Sequence, residues 1–261
     1  MPPVIIVLLD GLAASAVPCM GYMRALEEAG IARRCTLSCE MPPLSRPVYA
    51  TLLSGRPPVE HGILGNGYVR PLPLPTVFEQ ARDAGLTTAA AAYHWMSELC
   101  NRAPYVPLRD RFTDDAALPI QHGIFYHQDA YPDEHLLLDA ECLRQRWTPD
   151  LLLVHSMGID DAGHCSGADS AVYRTAARTA DMLLATYMPG WLEDGATVLV
   201  CSDHGMSADA QHNDVTPDVR DVPFWLAGSG TEGLPLPLRQ TDWARLICRL
   251  LELPPLGTVR A

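Results

Sequence analysis

Unbroken runs of apolar residues recur along the chain, and three of them end abruptly in acidic side chains. These runs are Val4–Leu9, residues 151–154 and Thr197–Cys201. Short apolar runs of this kind are typical of strands buried on both faces of a parallel sheet. Between them, apolar residues recur at helical spacing in residues 132–147 and 171–188. The alternation predicts an α/β fold, a three-layer α/β/α sandwich with a mostly parallel central sheet.

The remaining elements follow from the same pattern. We expect strands at residues 31–38, 86–92 and 222–227, and helices at residues 19–29, 48–53, 76–84 and 242–251. Pro189 and Gly190 are expected to end the helix of residues 171–188. Residues 93–132 are irregular and rich in aromatic side chains, and a segment of that length is usually functional. We therefore expect one domain, residues 1–261, with residues 93–132 as a small inserted lid; the alternative is a surface excursion with its own aromatic cluster.

Charge and composition narrow the possible functions. The formal net charge is −12 and all 19 basic residues are arginine. Without lysine, Schiff-base chemistry and a P-loop are excluded, and an acidic chain is poorly suited to a nucleic acid polymer. No apolar run approaches the roughly 20 residues of a membrane helix, and the first apolar run does not resemble a signal peptide. We expect a cytoplasmic protein with mostly reduced cysteines and no membrane partner; the oligomeric state stays open.

Side chains suited to metal binding follow the three apolar runs. Asp10 follows the first run, Asp160 and His164 follow the second, and Asp203 and His204 follow the third. In open α/β sheets the ligand site lies beyond the carboxyl ends of the strands. Carboxylates and imidazoles together suit a divalent metal ion. The alternative is that these residues only cap loops and fill space, but their recurrence on three strands favours a shared site.

Two further polar residues are candidates for binding an anion. Ser45 stands just before the helix predicted at residues 48–53, where free N–H groups and the helix dipole favour negative charge. A simple N-cap role is the alternative, and both roles are compatible. Asn66 lies between two glycines, where it either caps a turn or directs its amide at a ligand.

Taken in order, these residues match a known pattern. Asp10-Gly11, the segment from Ser45 to Gly55, the His61-Gly62-Ile63 element before Asn66, and Asp203-His204 occur in sequence. The chain resembles the alkaline phosphatase superfamily, closest to its nucleotide pyrophosphatase/phosphodiesterase branch. That resemblance implies two divalent ions, zinc first and manganese as its competitor. It implies a first metal set of Asp10, Ser45, Asp203 and His204, and a second set of Asp160, His164 and His212, with Ser45 as the nucleophile and Asn66 as the phosphoryl-binding amide.

The chain departs from the family pattern at three positions. Ser45 stands where many relatives have threonine, and His212 precedes Asn213 where a glycine is usual. Tyr49 replaces the arginine of the sulfatase signature, which argues against a sulfatase.

The resemblance implies a metal-dependent hydrolase that cleaves phosphodiesters or nucleotide pyrophosphates, small-molecule substrates, through a covalent intermediate on Ser45. A phosphomonoesterase, a phosphonate hydrolase or a metal-dependent mutase on the same fold is the alternative, and a non-catalytic binding protein is another. We expect His61 and His155 to be structural. The expected substrate-binding residues are Arg46, Asn66, Tyr68, His94, Trp95 and Arg109.

Overall fold

The structure is a computed structural model that describes residues 1–228 and 230–256. Its strands, in chain order, are β1 (Val4–Leu9), β2 (Ala32–Ser38), β3 (Thr88–Tyr93), β4 (Phe112–Asp114), β5 (His122–Tyr126), β6 (Leu151–Ser156), β7 (Thr197–Cys201) and β8 (Asp221–Ala227). Its α-helices are α1 (Gly21–Glu28), α2 (Ser45–Ser54), α3 (Pro58–His61), α4 (Val77–Asp83), α5 (His94–Cys100), α6 (Pro107–Asp110), α7 (Asp133–Trp147), α8 (Gly158–Ser166), α9 (Ala171–Glu193), α10 (Pro217–Arg220) and α11 (Trp243–Leu250). Short 3-10 helices span Ala14–Cys19 and Gln240–Asp242.

The described strands form one sheet in the order β2-β8-β7-β1-β6-β3-β5-β4. The pairs β7–β1, β1–β6, β6–β3 and β3–β5 are parallel, whereas β2–β8, β8–β7 and β5–β4 are antiparallel. The three strands that precede the predicted metal ligands, β7, β1 and β6, are therefore neighbours at the centre of the sheet.

Apolar side chains of the central strands alternate between two cores, because successive side chains of a strand point to opposite faces. In β1, Ile6 and Leu8 face a core shared with α2, α4, α5 and α11. Ile5 and Val7 face the other core, which is shared with α1, α7 and α9. Helices thus cover both faces of the sheet, and the predicted three-layer sandwich with a mostly parallel sheet is confirmed.

Residues 93–132 are more regular than the sequence predicts. They contain α5, α6, β4 and β5, and β5 pairs with β3 along its whole length. This part of the expected lid is therefore the edge of the sheet itself, and the prediction of an irregular segment is wrong there. Pairing with β3 stabilises β5, although the prolines and charged residues of this segment locally disfavour a strand. Whether the rest of this segment acts as a lid stays a prediction. The single domain of residues 1–261 also stays a prediction, and residues 229 and 257–261 lie outside the described part of the chain.

Two helices also differ from the prediction. Helix α9 continues past Pro189 to Glu193 instead of ending there. Proline removes one backbone donor, but the extension buries Trp191, whose indole nitrogen donates to Glu141 at 2.6 Å. Helix α8 was not predicted at all, because it is only nine residues long and contains two glycines, which weaken the helical signal. No helix in residues 1–228 and 230–256 combines the length and apolar character needed to cross a bilayer.

Candidate active site

The register of the central strands brings the predicted carboxylates together. Leu8 of β1 pairs with Cys201 of β7, so Asp10 and Asp203 each follow the paired positions by two residues. Both side chains are fully buried. The backbone N–H of Gly11 donates to Oδ1 of Asp203 at 3.2 Å, which fixes the second carboxylate against the turn after the first.

Gly11 is required at this turn for two reasons. Its φ is +73°, in the left-handed region, and a Cβ built on it would lie 2.8 Å from Cα of Asp160. The buried hydroxyl of Tyr173 donates to the carbonyl of Gly11 at 2.6 Å and accepts from the N–H of Ala13 at 2.9 Å. The turn can therefore approach the third carboxylate closely.

Helix α8 supplies the second pair of predicted ligands. Asp160 and His164 are four residues apart and so lie on one face of the helix. Oδ2 of Asp160 lies 3.4 Å from Nε2 of His164. Asp160 is buried, whereas the His164 side chain is 41% exposed, so the site opens to solvent at His164.

The three site histidines are held alike. In each, Nδ1 lies at hydrogen-bond distance from a backbone carbonyl: Pro43 for His212 (2.7 Å), Gly205 for His204 (3.0 Å) and Ala210 for His164 (3.1 Å). A carbonyl only accepts, so each imidazole donates from Nδ1 and leaves its Nε2 lone pair free. This is the arrangement that orients histidine ligands around a metal ion.

The free nitrogen atoms converge. Nε2 of His212 lies 3.1 Å from Nε2 of His164. Two lone pairs facing each other at that distance repel unless a cation lies between them. Zn–N bonds of about 2.0–2.1 Å put two nitrogen ligands of a tetrahedral ion roughly 3.3 Å apart. The spacing of the two histidines therefore fits shared coordination.

Two overlapping ligand sets emerge. The ligand atoms of Asp10, Asp203 and His204 lie within 4.8 Å of one another, as do those of Asp160, His204 and His212. The first set reproduces the carboxylates and imidazole expected around one ion. In the second set, His204 occupies the place expected for His164, which instead stands at the solvent side in contact with Asp160 and His212.

The charges of these groups also fit metal binding. Burial raises the pKa of Asp160 and of Asp203 to about 6. Burial, and then the nearby charge of Asp203, raises the pKa of Asp10 well above its usual value. Burial lowers the pKa of His204, and that of His212 to about 4, so both imidazoles stay neutral at pH 7. The buried acids therefore lack a compensating positive charge.

Three carboxylate oxygens of the ligand sets are left for a cation. Oδ1 of Asp10, Oδ1 of Asp160 and Oδ2 of Asp203 accept no hydrogen bond from any described residue. A buried carboxylate oxygen without a donor is costly unless a cation binds it. Oxygen atoms and neutral imidazole nitrogens in one pocket form a donor set suited to zinc or manganese, and the residues present fit a divalent metal.

Ser45 lies beside the first ligand set. It is the first residue of α2, it is buried, and its Oγ lies 3.1 Å from Nε2 of His204. Asn66 reaches the same helix end, where its Oδ1 accepts the backbone N–H of Arg46 at 3.1 Å. This contact leaves the NH₂ group of Asn66 as the available donor next to Ser45.

The side chain of Arg46 is not a free cation. It is buried, and Nη2 donates to Oε2 of Glu98 at 2.7 Å. Nη1 donates to the carbonyl of Tyr68 at 3.1 Å, and the guanidinium lies 4.6 Å from the ring centroid of Trp95. Glu98 neutralises Arg46 inside the protein, so its guanidinium is not a free cation, and a role of Arg46 in substrate binding stays a prediction.

The other expected substrate-binding residues are distributed unevenly. His94 and Trp95 begin α5 and pack around Tyr93, with ring centroids 4.4 and 5.2 Å away from it. Burial lowers the pKa of His94 to about 4. The Tyr68 side chain is 42% exposed. Arg109 donates to Asp110 from Nε and Nη2, at 2.6 and 2.7 Å, so this arginine is also neutralised.

Of the two histidines expected to be structural, His61 joins α2 to the loop before Asn66. Its Nε2 lies 3.1 Å from Oγ1 of Thr51, and its Nδ1 accepts the N–H of Ile63. His155 lies closer to the chemistry than expected, because its Nε2 is 3.4 Å from Oδ2 of Asp10.

Sequence reasoning missed three residues that support the site. Tyr49 donates its hydroxyl hydrogen to Oδ2 of Asp10. Glu98 neutralises Arg46, and the buried amide of Gln240 donates to the carbonyl of Asp203 at 2.5 Å. Only Tyr49 carried a sequence signal, since it stands one helical turn after Ser45 at the position of the arginine in the sulfatase signature.

Comparison with known proteins agrees with this geometry. The sequence profile of the type I phosphodiesterase/nucleotide pyrophosphatase family matches residues 4–219. The catalytic subunit of human GPI ethanolamine phosphate transferase 2 is 24% identical over 277 aligned residues, which cover 96% of this chain and 26% of that protein. The chain thus spans about a quarter of the length of this curated relative.

Solved structures share the fold. Murine ectonucleotide pyrophosphatase/phosphodiesterase 5, an inactive form in complex with AMP, superposes with a TM-score of 0.74 and 13% identity, over 100% of this chain and 98% of its own. TAB5 alkaline phosphatase, a mutant with magnesium bound, superposes with a TM-score of 0.65 and 13% identity, over 97% of this chain and 99% of its own. Both likenesses concern the fold alone.

The fold is that of alkaline phosphatase-like structures, and the site gathers carboxylates and imidazoles that suit a divalent metal ion. The chain belongs to the type I phosphodiesterase/nucleotide pyrophosphatase family.

Proposed function

We propose that this protein is a dinuclear metal-dependent phosphodiesterase that cleaves phosphodiesters or nucleotide pyrophosphates through a covalent intermediate on Ser45. One observation carries the proposal: Oγ of Ser45 stands at the first residue of α2, 3.1 Å from Nε2 of His204, where two ligand sets meet. The AMP bound to the murine structural neighbour is consistent with a phosphoryl group as the substrate's reacting part.

Two overlapping sets of carboxylate and imidazole side chains would hold the metals. Asp10, Asp203 and His204, together with Ser45, form the first set. Asp160, His204 and His212 form the second set, so His204 belongs to both sets. His164, whose Nε2 lies 3.1 Å from Nε2 of His212, would be a further ligand of the second ion. Two divalent ions bound there, zinc or manganese, would supply the positive charge that activates a serine hydroxyl and stabilises a leaving oxygen.

The protein's own groups position the reacting phosphoryl group. Oγ of Ser45 loses its proton to solvent and forms the new bond to phosphorus while the bond from phosphorus to the leaving oxygen breaks. The leaving oxygen takes up a proton from solvent. The NH₂ group of Asn66 provides a donor for a non-bridging oxygen, because Oδ1 of Asn66 already accepts the N–H of Arg46. The next helical positions add no free donor, since Pro47 has no N–H and the N–H of Val48 donates to the carbonyl of Leu44. Water then cleaves the Ser45 phosphoester, and the exposed side of the site at His164 gives it access.

Charge supports a diester over a monoester. A phosphodiester carries one negative charge, whereas a phosphomonoester is largely dianionic at neutral pH. The chain has no lysine, and Arg46 and Arg109 are each bound to a neighbouring carboxylate, Glu98 and Asp110. Neither of these two arginines is therefore free to balance a second phosphate charge. Arg70, whose Nη2 donates to the carbonyl of Gly62, is the remaining candidate cation for the phosphomonoesterase alternative. A phosphomonoesterase or phosphonate hydrolase remains the alternative outcome of the test.

The test uses purified protein loaded with zinc or manganese. We expect elemental analysis to find about two ions per chain. We expect kcat/KM to be higher for an aryl phosphodiester than for the matching monoester. Mass spectrometry of a quenched diester reaction should find Ser45 carrying the phosphoryl group with the ester substituent that did not leave. One ion or none after loading contradicts the dinuclear site. A preference for the monoester favours the phosphatase alternative.

We also propose that the substrate is a small molecule and that the protein works in the cytoplasm. All eight cysteines are free thiols, which suits a reducing compartment. Labelling with a membrane-impermeant thiol reagent, applied to intact cells and to lysed cells, tests the location. A cytoplasmic chain is labelled only in the lysed cells.

A further inference from the structure

Tyr49 links the helix of the nucleophile to a carboxylate of the first ligand set. It lies four residues after Ser45 on α2, which is one helical turn, and its side chain is fully buried. Its hydroxyl donates to Oδ2 of Asp10 and lies 3.6 Å from Sδ of Met157. The phenol therefore reaches across the site from one core layer to the end of β1.

The contact makes the two oxygens of Asp10 unequal. Oδ2 faces Tyr49 and also Nε2 of His155, which is 3.4 Å away. Oδ1 accepts no hydrogen bond from any residue that the structure describes, and it lies 3.6 Å from Nε2 of His204. One oxygen is thus held by donors, while the other points into the ligand set.

The orientation of Tyr49 is itself fixed. Its ring packs edge-to-face against His155, with centroids 4.7 Å apart and an interplanar angle of 75°. This contact holds the ring in place and so keeps the phenol hydroxyl at Oδ2 of Asp10.

We infer that Tyr49 is a positioning residue for metal binding: its hydrogen bond to Oδ2 directs Oδ1 of Asp10 into the first ligand set and couples that ligand to the helix of Ser45. The inference rests on the proposed function, because it assumes that Asp10 binds a metal. An arginine at this position would bring a positive charge to Asp10, whereas the neutral phenol leaves the carboxylate charge for a cation. Partners of this kind typically contribute 10-fold to 100-fold in metal affinity.

The test compares Tyr49→Phe with wild type and with Tyr131→Phe. The first variant keeps the buried ring and removes only the hydroxyl. The control also removes a hydroxyl that donates to an aspartate, since Tyr131 donates to Oδ2 of Asp139 at 2.8 Å, away from the ligand sets. The Zn²⁺ dissociation constant is measured by chelator competition, and the melting temperature is measured with chelator and with Zn²⁺.

We expect Tyr49→Phe to bind Zn²⁺ about 10-fold to 100-fold more weakly, with a smaller rise in melting temperature on adding Zn²⁺. The control should match wild type in both measurements. Equal Zn²⁺ affinity in wild type and Tyr49→Phe overturns the inference and leaves the proposed function intact. A chelated melting temperature lowered far more than in the control assigns Tyr49 to packing, which also overturns it. Failure of wild type to bind Zn²⁺ or Mn²⁺ removes the proposed function and this inference with it.

Discussion

Arg46 and Glu98 form a buried ion pair directly behind the residue proposed as the nucleophile. Nη2 of Arg46 and Oε2 of Glu98 are 2.7 Å apart, and both side chains are at most 5% exposed. Oε1 of Glu98 accepts the N–H of Tyr105 at 2.9 Å, so the carboxylate is anchored on both sides. The pair removes a positive charge from the start of α2, where an anionic substrate would otherwise meet it.

Glu98→Gln should therefore change both stability and substrate preference. Removing one partner of a buried ion pair typically costs about 3–5 kcal/mol in the free energy of unfolding, because the other charge stays buried. The uncompensated guanidinium of Arg46 should also raise kcat/KM for an aryl monoester relative to the diester, by roughly threefold to tenfold. Chemical denaturation and a matched pair of aryl substrates measure the two effects.

Glu60→Gln is the control for this variant. Glu60 pairs with Arg56 at 3.3 Å on the surface, where both side chains are about half exposed. Loss of an exposed pair should cost less than about 1 kcal/mol and leave substrate preference unchanged. An unchanged ratio of monoester to diester activity in Glu98→Gln would show that the charge of Arg46 does not reach the substrate.

Ser45→Ala and Asp203→Asn should separate nucleophile from ligand. Ser45→Ala removes one hydroxyl at the start of a helix, so the fold and the carboxylate and imidazole ligands remain. We expect kcat to fall by at least roughly 10³-fold while metal content is retained. Asp203→Asn should lose metal as well as activity, because a buried carboxylate ligand is removed. Near-normal turnover by Ser45→Ala would show that water or another residue attacks phosphorus.

Most of the site residues that the sequence predicted stand shortly after an apolar strand. Asp10 and Asp203 follow apolar runs, and parallel neighbours bring such ends together whatever their separation in the chain. The α/β/α sandwich follows from the same alternation of elements. Helix α8 was missed, yet Asp160 and His164 were identified as candidates because they follow the apolar run of residues 151–154.

The supporting contacts could not be predicted, because each joins residues distant in sequence. Glu98 is 52 residues from Arg46, and Gln240 is 37 residues from Asp203. Local sequence indicates which element a residue belongs to but not which side chain packs against it. For the same reason, the sequence did not show that Arg46, an expected substrate-binding residue, is paired with Glu98.

Stability should depend on His61 in acid. Burial lowers the pKa of this histidine to about 4, below its usual 6.5. Between these values the unfolded chain binds a proton that the folded chain does not, so stability falls as pH drops from 6.5 towards 4. His61→Asn keeps an acceptor near Ile63 but cannot titrate, so its stability should fall less steeply as pH drops. The slopes of wild type and variant should differ by up to about 1.4 kcal/mol per pH unit.

Urea denaturation with chelator present, at several pH values from 4 to 8, measures this slope. His135→Asn, a change at an exposed position on α7, is the control and should keep the slope of wild type. Identical slopes in wild type and His61→Asn would mean that His61 is protonated equally in the folded and unfolded chains.

Gln240 clamps two loops of the site from outside the part of the chain that the family profile matches, residues 4–219. Its Nε2 donates to the carbonyl of Asp203 at 2.5 Å, and its Oε1 accepts the N–H of Glu40 at 2.7 Å, in the loop that leads to Ser45. The side chain is fully buried. Its amide thus fixes the distance between the loop of Asp203 and the loop before the nucleophile.

Gln240→Glu should break this clamp in a pH-dependent way. An ionised carboxylate accepts from Glu40 but repels the carbonyl of Asp203, and an unsatisfied buried group costs about 1–3 kcal/mol. The protonated form can donate to that carbonyl, so the folded state raises the pKa of the introduced carboxyl group. The free energy of unfolding of Gln240→Glu should therefore come closest to that of wild type at pH 5. It should fall further below the wild-type value as pH rises to 8. Denaturation with chelator present measures this difference without metal binding, and Gln145→Glu on the exposed face of α7 is the control. A difference from wild type that is constant between pH 5 and 8 would show that Gln240 does not act through its donated hydrogen bond.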